Sequence, residues 1–287
     1  MHELFLPVLQ WDMQFSDLLC RTGLIAAHRG NRALAPENTM AAFHKSVGCC
    51  DFIELDVQLS RDAVPVVIHD DTLERTSNVA SLETFRSRKP WRVCDFTLAE
   101  LKTFDYGSWF EDSDPFDARR DGDPGVDAAG YAGEPIPTLE EVLHFASAED
   151  MLLNVEIKDM HDLLDDELVV AAVAAAIEAS GCVRRVLISS FYHPYLPLMQ
   201  KALPEVATVA LQEGAHPADT VAYLKDLGVN GYHCDDAIVT ETIVGDLKRA
   251  GFFTGVYTVN DPRRQRELFC WGVNALFTDR PLLAKRE

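Results

Sequence analysis

Short apolar runs recur along the chain, separated by stretches in which apolar positions return every three or four residues. The runs at 24–28, 52–59, 152–158, 186–191, 206–212, 231–235, 254–259 and 274–278 predict eight strands. The stretches at 38–47, 165–180, 217–227, 240–250 and 262–271 predict helices. The longest apolar run, 168–177, is too short to span a bilayer and reads as a helix buried against a core. Local punctuation agrees. Pro262 suits the first turn of its helix, with Asp261 or Asn260 as the cap. Gly181, Gly228, Gly251 and Gly272 each fall just past a predicted helix, where a left-handed residue ends it. Strand-then-helix alternation implies a parallel sheet with helical crossovers. Eight such units make an α/β fold of the (β/α)8 TIM-barrel type the leading architecture, as a single domain over residues 1–287.

Two segments break this rhythm. After the strand at 52–59, a second apolar run at 64–69 follows across only Ser60-Arg61-Asp62-Ala63. Four residues cannot carry a parallel crossover, which needs about a dozen, so the pair must be a hairpin. Pairing across it sets His69 roughly opposite Glu54. The second segment, at about 72–137, has no barrel rhythm. Its acidic, Gly-rich part at 111–134 holds Glu111, Asp112, Asp114, Asp117, Asp121, Asp123, Asp127 and Glu134 against Arg119 and Arg120. It reads as an insertion at the barrel mouth, either a functional loop or a solvated decoration.

Composition narrows the partners. The 287 residues are 47% apolar and 25% charged, an ordinary globular balance. The formal net charge of −20 repels phosphate backbones and anionic headgroups, so no nucleic acid and no stable membrane anchoring are expected. A small-molecule substrate is expected instead, and an anionic one needs a local cation. The seven cysteines are odd in number and contain no C-x-x-C pair, which points to a reducing, cytoplasmic setting without a zinc site. The apolar patch at 4–9 follows no Lys or Arg and is too short for a signal-peptide core.

Active sites of such barrels form at the C-terminal strand ends. The first strand ends in His28-Arg29-Gly30. Glu54 and Asp56, two apart, face one side of the second strand, and the hairpin returns His69-Asp70. Glu156 and Lys158 share a face at the next strand end, and the last strands end with Tyr257 and Asp279. Three carboxylates in one small volume cannot all stay ionised without a cation. An all-oxygen set favours Mg2+ or Ca2+ over zinc. Arg29 and Lys158 beside such a metal would suit a phosphoryl group, and His28 and His69 could serve as acid and base. Singly, each feature has an ordinary structural reading: a satisfied strand-end histidine, a salt-bridged pair, an internal Glu–Lys ion pair. Their joint appearance at strand ends reads as metal-assisted phosphoester cleavage. Asn38 reads as a helix cap, and Phe191 and Tyr257 as pocket walls or as plain packing.

The ordered motifs His28-Arg29-Gly30, Pro36-Glu37-Asn38-Thr39, Ile53-Glu54-Leu55-Asp56-Val57, Val66-Val67-Ile68-His69-Asp70 and Arg75-Thr76 resemble the glycerophosphodiester phosphodiesterase family. The resemblance continues through Ile136-Pro137-Thr138-Leu139-Glu140-Glu141-Val142-Leu143, Val155-Glu156-Ile157-Lys158, Tyr257-Thr258-Val259-Asn260 and Phe277-Thr278-Asp279-Arg280-Pro281, about residues 24 to 283. It implies a barrel with a small insertion after strand two. It implies hydrolysis of a glycerophosphodiester to sn-glycerol 3-phosphate and an alcohol. Carried over by motif, His28 and His69 are the acid/base pair, Glu54, Asp56 and Glu156 the metal ligands, and Arg29 and Lys158 the phosphate holders. By similarity to phosphoinositide-specific phospholipases, a substrate hydroxyl attacks first to give a cyclic phosphate, with His28 as base and His69 as acid.

Three positions depart from the pattern. The hairpin turn has Asp62-Ala63 in place of Asp-Gly, and Ala63 disfavours positive φ, so a different turn is expected. Cys49-Cys50-Asp51 replaces Gly-Ala-Asp, with buried packing expected for the two thiols. Tyr257 stands where Trp is common, beside the glycerol or leaving group. Three other readings remain open at this point: a lysophospholipase D-type phosphodiesterase with a wider apolar mouth, a Schiff-base lyase using Lys158, and a barrel that only binds phosphodiesters.

Overall fold

A computed structural model describes residues 14–281 except 124 and 128, so the apolar patch at 4–9 lies outside the described residues. The strands are β1 Leu24–Ala27, β2 Phe52–Leu59, β3 Pro65–Val67, β4 Leu153–Ile157, β5 Val186–Ser190, β6 Ala207–Gln212, β7 Gly231–Asp235, β8 Phe253–Tyr257 and β9 Ala275–Thr278. The helices are α1 Met40–His44, α2 Leu98–Leu101, α3 Ser108–Ser113, α4 Leu139–Ala148, α5 Asp166–Ser180, α6 Tyr195–Ala202, α7 Thr220–Leu227, α8 Glu241–Ala250 and α9 Pro262–Trp271. Eight strands run parallel in the order β1-β9-β8-β7-β6-β5-β4-β2, and the β1–β2 pairing closes them into a TIM barrel. All eight coincide with the predicted runs to within a residue or two at each end.

Strand alternation divides the apolar residues between two cores. Ala26, Phe52, Leu152, Leu187, Val209, Phe253, Ala275 and Phe277 point inward and fill the lumen. Their outward neighbours, such as Ile53, Leu55, Val155, Ile188 and Val256, pack on the helices. Both faces are buried, which is why these strands read as continuous apolar runs. Phe15 and Leu18 join the lumen cluster, with the Phe15 ring edge-on to Phe52 at 5.2 Å. One polar group sits inside this apolar floor. The His233 imidazole contacts Phe277 at 4.7 Å and has no hydrogen-bond partner. Burial pushes it down to about 3, so it stays neutral. Gly255 makes room for it, since a Cβ there would lie 2.5 Å from the imidazole.

The hairpin forms as expected, with Val57 opposite Val67, Gln58 opposite Val66 and Leu59 opposite Pro65. The Ile68 amide donates to the Asp56 carbonyl, which continues that register and sets His69 opposite Leu55, one residue from the expected Glu54. The expectation for the turn fails. Ala63 does adopt a positive φ, of 58°. The turn is clamped from both sides: Ala63 N–H donates to the Ser60 carbonyl, and Val64 N–H donates to Ser60 Oγ. Those bonds outweigh the modest cost of a left-handed alanine.

Residues 72–137 carry several short helices, α2 and α3 among them, around an apolar cluster of their own that includes Leu73, Val79, Trp91, Val93, Phe96, Leu101, Phe104, Tyr106 and Ile136. The acidic stretch lies against the loop after β1 and the end of α1. Tyr131 Oη donates to the Leu34 carbonyl, and Lys45 Nζ donates to the Gly125 carbonyl. Cys49 and Cys50 are buried, as expected, and both thiols donate to the Ser46 carbonyl.

Candidate active site

The C-terminal strand ends enclose a cavity of about 390 Å3 lined by His28, Arg29, Glu54, His69, Asn154, Glu156, Lys158, Phe191 and Tyr257 among others. Eight of the nine residues expected from sequence line it, and the ninth, Asp56, is buried behind it. Each side chain is delivered by a local feature. After β1 the chain turns sharply through two left-handed residues, Arg29 at φ 55° and Gly30 at φ 79°. Position 30 must be glycine, because a Cβ there would lie 2.8 Å from the Ala42 Cβ. The turn aims the Arg29 amide at Glu54 Oε2, at 2.9 Å. His69 follows β3, and its loop is fastened by Gln58, whose Nε2 donates to the carbonyls of Asp70 at 2.7 Å and His69 at 3.2 Å.

Glu54, Asp56 and Glu156 form a buried group whose ligand oxygens all lie within 4.8 Å of one another. Lys158 Nζ lies 2.7 Å from Glu156 and 3.7 Å from Asp56, and Arg29 Nε lies 3.3 Å from Asp56. These cations do not satisfy all three acids. Burial, and then repulsion from Asp56 and Glu156, pushes the Glu54 carboxyl well above the usual range. Burial raises Glu156 as well, against the opposing pull of Lys158. Asp56 goes the other way: burial would raise it, but Arg29, Lys158 and His69 hold it low. The acids titrate as one interacting group. Three all-oxygen ligands, buried and short of positive charge, fit a hard divalent cation.

Each histidine has a carboxylate behind it. His28 Nδ1 lies 2.7 Å from Asp279 Oδ1, and His69 Nδ1 lies 2.7 Å from Asp70 Oδ1. A carboxylate on Nδ1 fixes that nitrogen as the N–H of a neutral ring and leaves Nε2 for the cavity both rings line. Burial lowers the His28 imidazole below its ordinary value, despite the hydrogen bond to Asp279. Burial would raise Asp279, but bonding to His28 and the charges of His28 and Arg32 bring it down to about 2. Asn260 fixes Asp279 from the other side, donating from Nδ2 to Oδ2 at 2.7 Å.

The capping expectation for Asn38 is corrected. Thr39 caps α1, its Oγ1 accepting from the Ala42 amide. Asn38 sits one residue earlier at φ 57°, and its Nδ2 donates to Asp56 Oδ2 at 2.8 Å while Oδ1 accepts from the Asp56 amide. Two capping-type residues stand side by side in the sequence, and the second occupies the position from which a side chain reaches the third helical amide. Asn38, Gln58 and the carboxylates Glu37, Asp70 and Asp279 are supporting residues that spacing did not assign. Gln58 stands at the next inward position after Glu54 and Asp56, and Asp70 and Asp279 stand at strand ends, but nothing local names the partners they hold.

Phe191 and Tyr257 face each other edge-on at 5.9 Å, and Tyr257 Oη donates to the Gln212 carbonyl. Lys158, in contact with two acids, is held protonated above its ordinary range. A Schiff-base lysine needs the opposite, a neutral amine.

Comparison with known proteins gives the relatives of this chain. A family model described as the glycerophosphoryl diester phosphodiesterase family matches residues 28–283. A glycerophosphodiester phosphodiesterase of Bacillus altitudinis is 33% identical over 263 residues, 90% of this chain and 94% of that protein. Another, from Caldanaerobacter subterraneus subsp. tengcongensis, is 31% identical over 264 residues, again 90% and 94%. Among solved structures, an Oleispira antarctica phosphodiesterase in complex with the product sn-glycerol-3-phosphate superposes with a TM-score of 0.76 at 29% identity, covering 92% of this chain and 95% of that one.

Proposed function

The chain belongs to the glycerophosphoryl diester phosphodiesterase family and is a phosphoric diester hydrolase of that kind; from there, we propose that it cleaves water-soluble glycerophosphodiesters to sn-glycerol 3-phosphate and an alcohol by histidine acid/base catalysis assisted by a divalent metal. The observation that carries this reading is the meeting of two carboxylate-backed histidines with three under-compensated carboxylates on one cavity.

Glu54, Asp56 and Glu156 would hold the metal, Mg2+ or Ca2+. When bound, it supplies positive charge that neutralises the cluster and polarises a phosphoryl oxygen. Arg29 and Lys158 hold the phosphate, their donors already aimed across the cluster. His28 is neutral near pH 7 and takes the proton from the attacking hydroxyl at Nε2, and Asp279 stabilises the imidazolium that forms. His69, backed by Asp70, acts from its imidazolium form and gives the Nε2 proton to the departing alkoxide. In the first half-reaction the attacking hydroxyl is the substrate's own, which gives a cyclic phosphate and the free alcohol. Water then opens the ring with the two roles exchanged. Phe191 and Tyr257 wall the side on which the organic groups lie.

A soluble diester is favoured over a lysophospholipid by the surface around the cavity. Among the described residues the exposed large apolar side chains are Val47 and Leu168, and neither lines it. No helix of the described residues is long and apolar enough to cross a membrane. We read the barrel and its 72–137 insertion as one domain and place the enzyme in the cytoplasm.

The test is release of glycerol 3-phosphate from glycerophosphocholine and glycerophosphoethanolamine, with and without EDTA, followed by restoration with Mg2+ or Ca2+. Release that EDTA stops and metal restores is expected. Undiminished release in EDTA would overturn the metal-assisted mechanism, and release only from lysophospholipids would overturn the substrate class.

A further inference from the structure

The carboxylates behind the two histidines are not independent. Arg75 Nε lies 2.6 Å from Asp70 Oδ2 and its NH2 lies 2.8 Å from Asp70 Oδ1. The same guanidinium donates to both oxygens of Glu37, at 2.7 and 3.1 Å. Glu37 Oε2 also accepts from Arg32 NH2 at 2.7 Å, and Arg32 NH1 lies 3.5 Å from Asp279 Oδ1. A continuous chain of charged contacts therefore runs His69–Asp70–Arg75–Glu37–Arg32–Asp279–His28. Arg29 adds a fourth bond to Glu37, at 2.8 Å. Four donated bonds fill the hydrogen-bonding capacity of one carboxylate. The Glu37 side chain is only 2% exposed and does not line the catalytic cavity.

We infer that Glu37 is a positioning residue for both proton-transfer steps: by holding Arg75 and Arg32 it fixes Asp70 and Asp279, and through them both imidazoles. The inference rests on the acid/base reading of His28 and His69. Its physical basis is the fork geometry of arginine. One guanidinium engages two carboxylates at set angles, so each link transmits orientation as well as charge. A diffuse cluster of surface charges would leave the imidazoles to rotate. This network is pinned at a buried centre and reaches from the loop after β1 to the start of the insertion. Arg75 is the link on the insertion side, and its guanidinium also lies 5.9 Å from the Trp109 ring.

The test measures kcat and KM for two substrates, glycerophosphocholine and the p-nitrophenyl ester of glycerol 3-phosphate. The nitrophenolate leaves without needing a proton, so its departure is insensitive to the acid. In Glu37→Gln, kcat is expected to fall at least tenfold on both substrates while KM moves by less than about threefold. Arg29 keeps its contacts to Asp56 and Glu54, so Mg2+ affinity stays near the wild-type value. Arg75→Lys changes a side chain that is 41% exposed and keeps the charge while removing the fork, so it bears on the proposal even where Glu37→Gln folds poorly. It is expected to slow first-turnover release of choline from glycerophosphocholine and to leave first-turnover release of nitrophenolate unchanged, since His69 acts as base only in the later ring opening. Unchanged kcat in Glu37→Gln, a loss confined to KM, or equal slowing by Arg75→Lys of first-turnover release from both substrates would overturn the proposal. His28→Ala and His69→Ala run alongside. Full activity in those variants would show that the acid/base reading itself had failed, separately from the role of Glu37.

Discussion

Two buried acidic clusters lie on either side of Arg29, and they differ in how their charge is answered. Around Glu37, three guanidiniums meet three carboxylates: Arg29, Arg32 and Arg75 against Glu37, Asp70 and Asp279. Burial alone would raise the Glu37 carboxyl, yet bonding to Arg75 and the charges of all three arginines bring it down to about 2. Around Glu54 there are again three carboxylates, but only Lys158 belongs wholly to them. Arg29 is shared, bonding Glu37 while holding Asp56 low, so between one and two negative charges around Glu54 remain unanswered. Glu54 and Glu156 are displaced upward as a result. Glu37 is as deeply buried as Glu54, so burial of an acid does not by itself mark a metal site. Charge balance separates a completed ion network from a centre that calls for a cation.

The largest effects bear on the residues between the two clusters. His28→Ala or His69→Ala should each cut turnover by about 10²–10⁴-fold with the fold intact, read as kcat alongside circular dichroism. Near wild-type turnover in both would remove the reason for two carboxylate-backed rings. Stability then separates the clusters. Glu37→Ala leaves three arginines without their centre and should cost about 3–5 kcal/mol in urea denaturation. Glu54→Gln in metal-free protein relieves repulsion and should raise the melting temperature or leave it unchanged. Equal destabilisation by the two would break the comparison.

The pH dependence follows with opposite signs. Glu37 and Asp279 both sit at about 2 in the folded protein, below their unfolded values. Their stabilisation is present above about pH 4.5 and is lost as pH falls toward 2. Glu54 and Glu156 are raised, so in metal-free protein their contribution declines as pH rises from about 4.5 through their folded values. Added Mg2+ or Ca2+ should remove the decline on the alkaline side and leave the acid limb in place. Melting curves from pH 2 to 8, with and without metal, would show it; a metal effect confined to the acid limb would contradict it. The smallest effect is a control that neither cluster should feel. Ala63→Gly relieves a left-handed alanine at φ 58° and should stabilise by about 0.5–1 kcal/mol. The gain should be the same with and without metal.

Much of the barrel was legible because its signals are local. Two-faced burial gives each parallel strand an unbroken apolar run, and Gly181, Gly228, Gly251 and Gly272 all close their helices at positive φ. The strand ends were legible for the same reason, and they delivered the histidines and acids to one cavity. What sequence spacing could not supply is partnership across long separations. Asp279 reaches His28 across 251 positions, and Arg75 reaches Glu37 across 38. No periodicity encodes such pairs. The short apolar clusters of the insertion could not be assembled into one core from the sequence, because its apolar residues, from Leu73 to Ile136, follow no regular period. Asn38 was misplaced because its neighbour Thr39 carries the same capping chemistry.

The most direct test of the contrast between the clusters is calorimetric titration of Mg2+, and separately Ca2+, into metal-free wild type, Glu54→Gln and Glu37→Gln. The expected result is one divalent ion per chain in the wild type, with affinity reduced about tenfold or more in Glu54→Gln and retained in Glu37→Gln. Absence of divalent binding to the wild type, or equal affinity in wild type and Glu54→Gln, would contradict the assignment of Glu54, Asp56 and Glu156 as the metal centre.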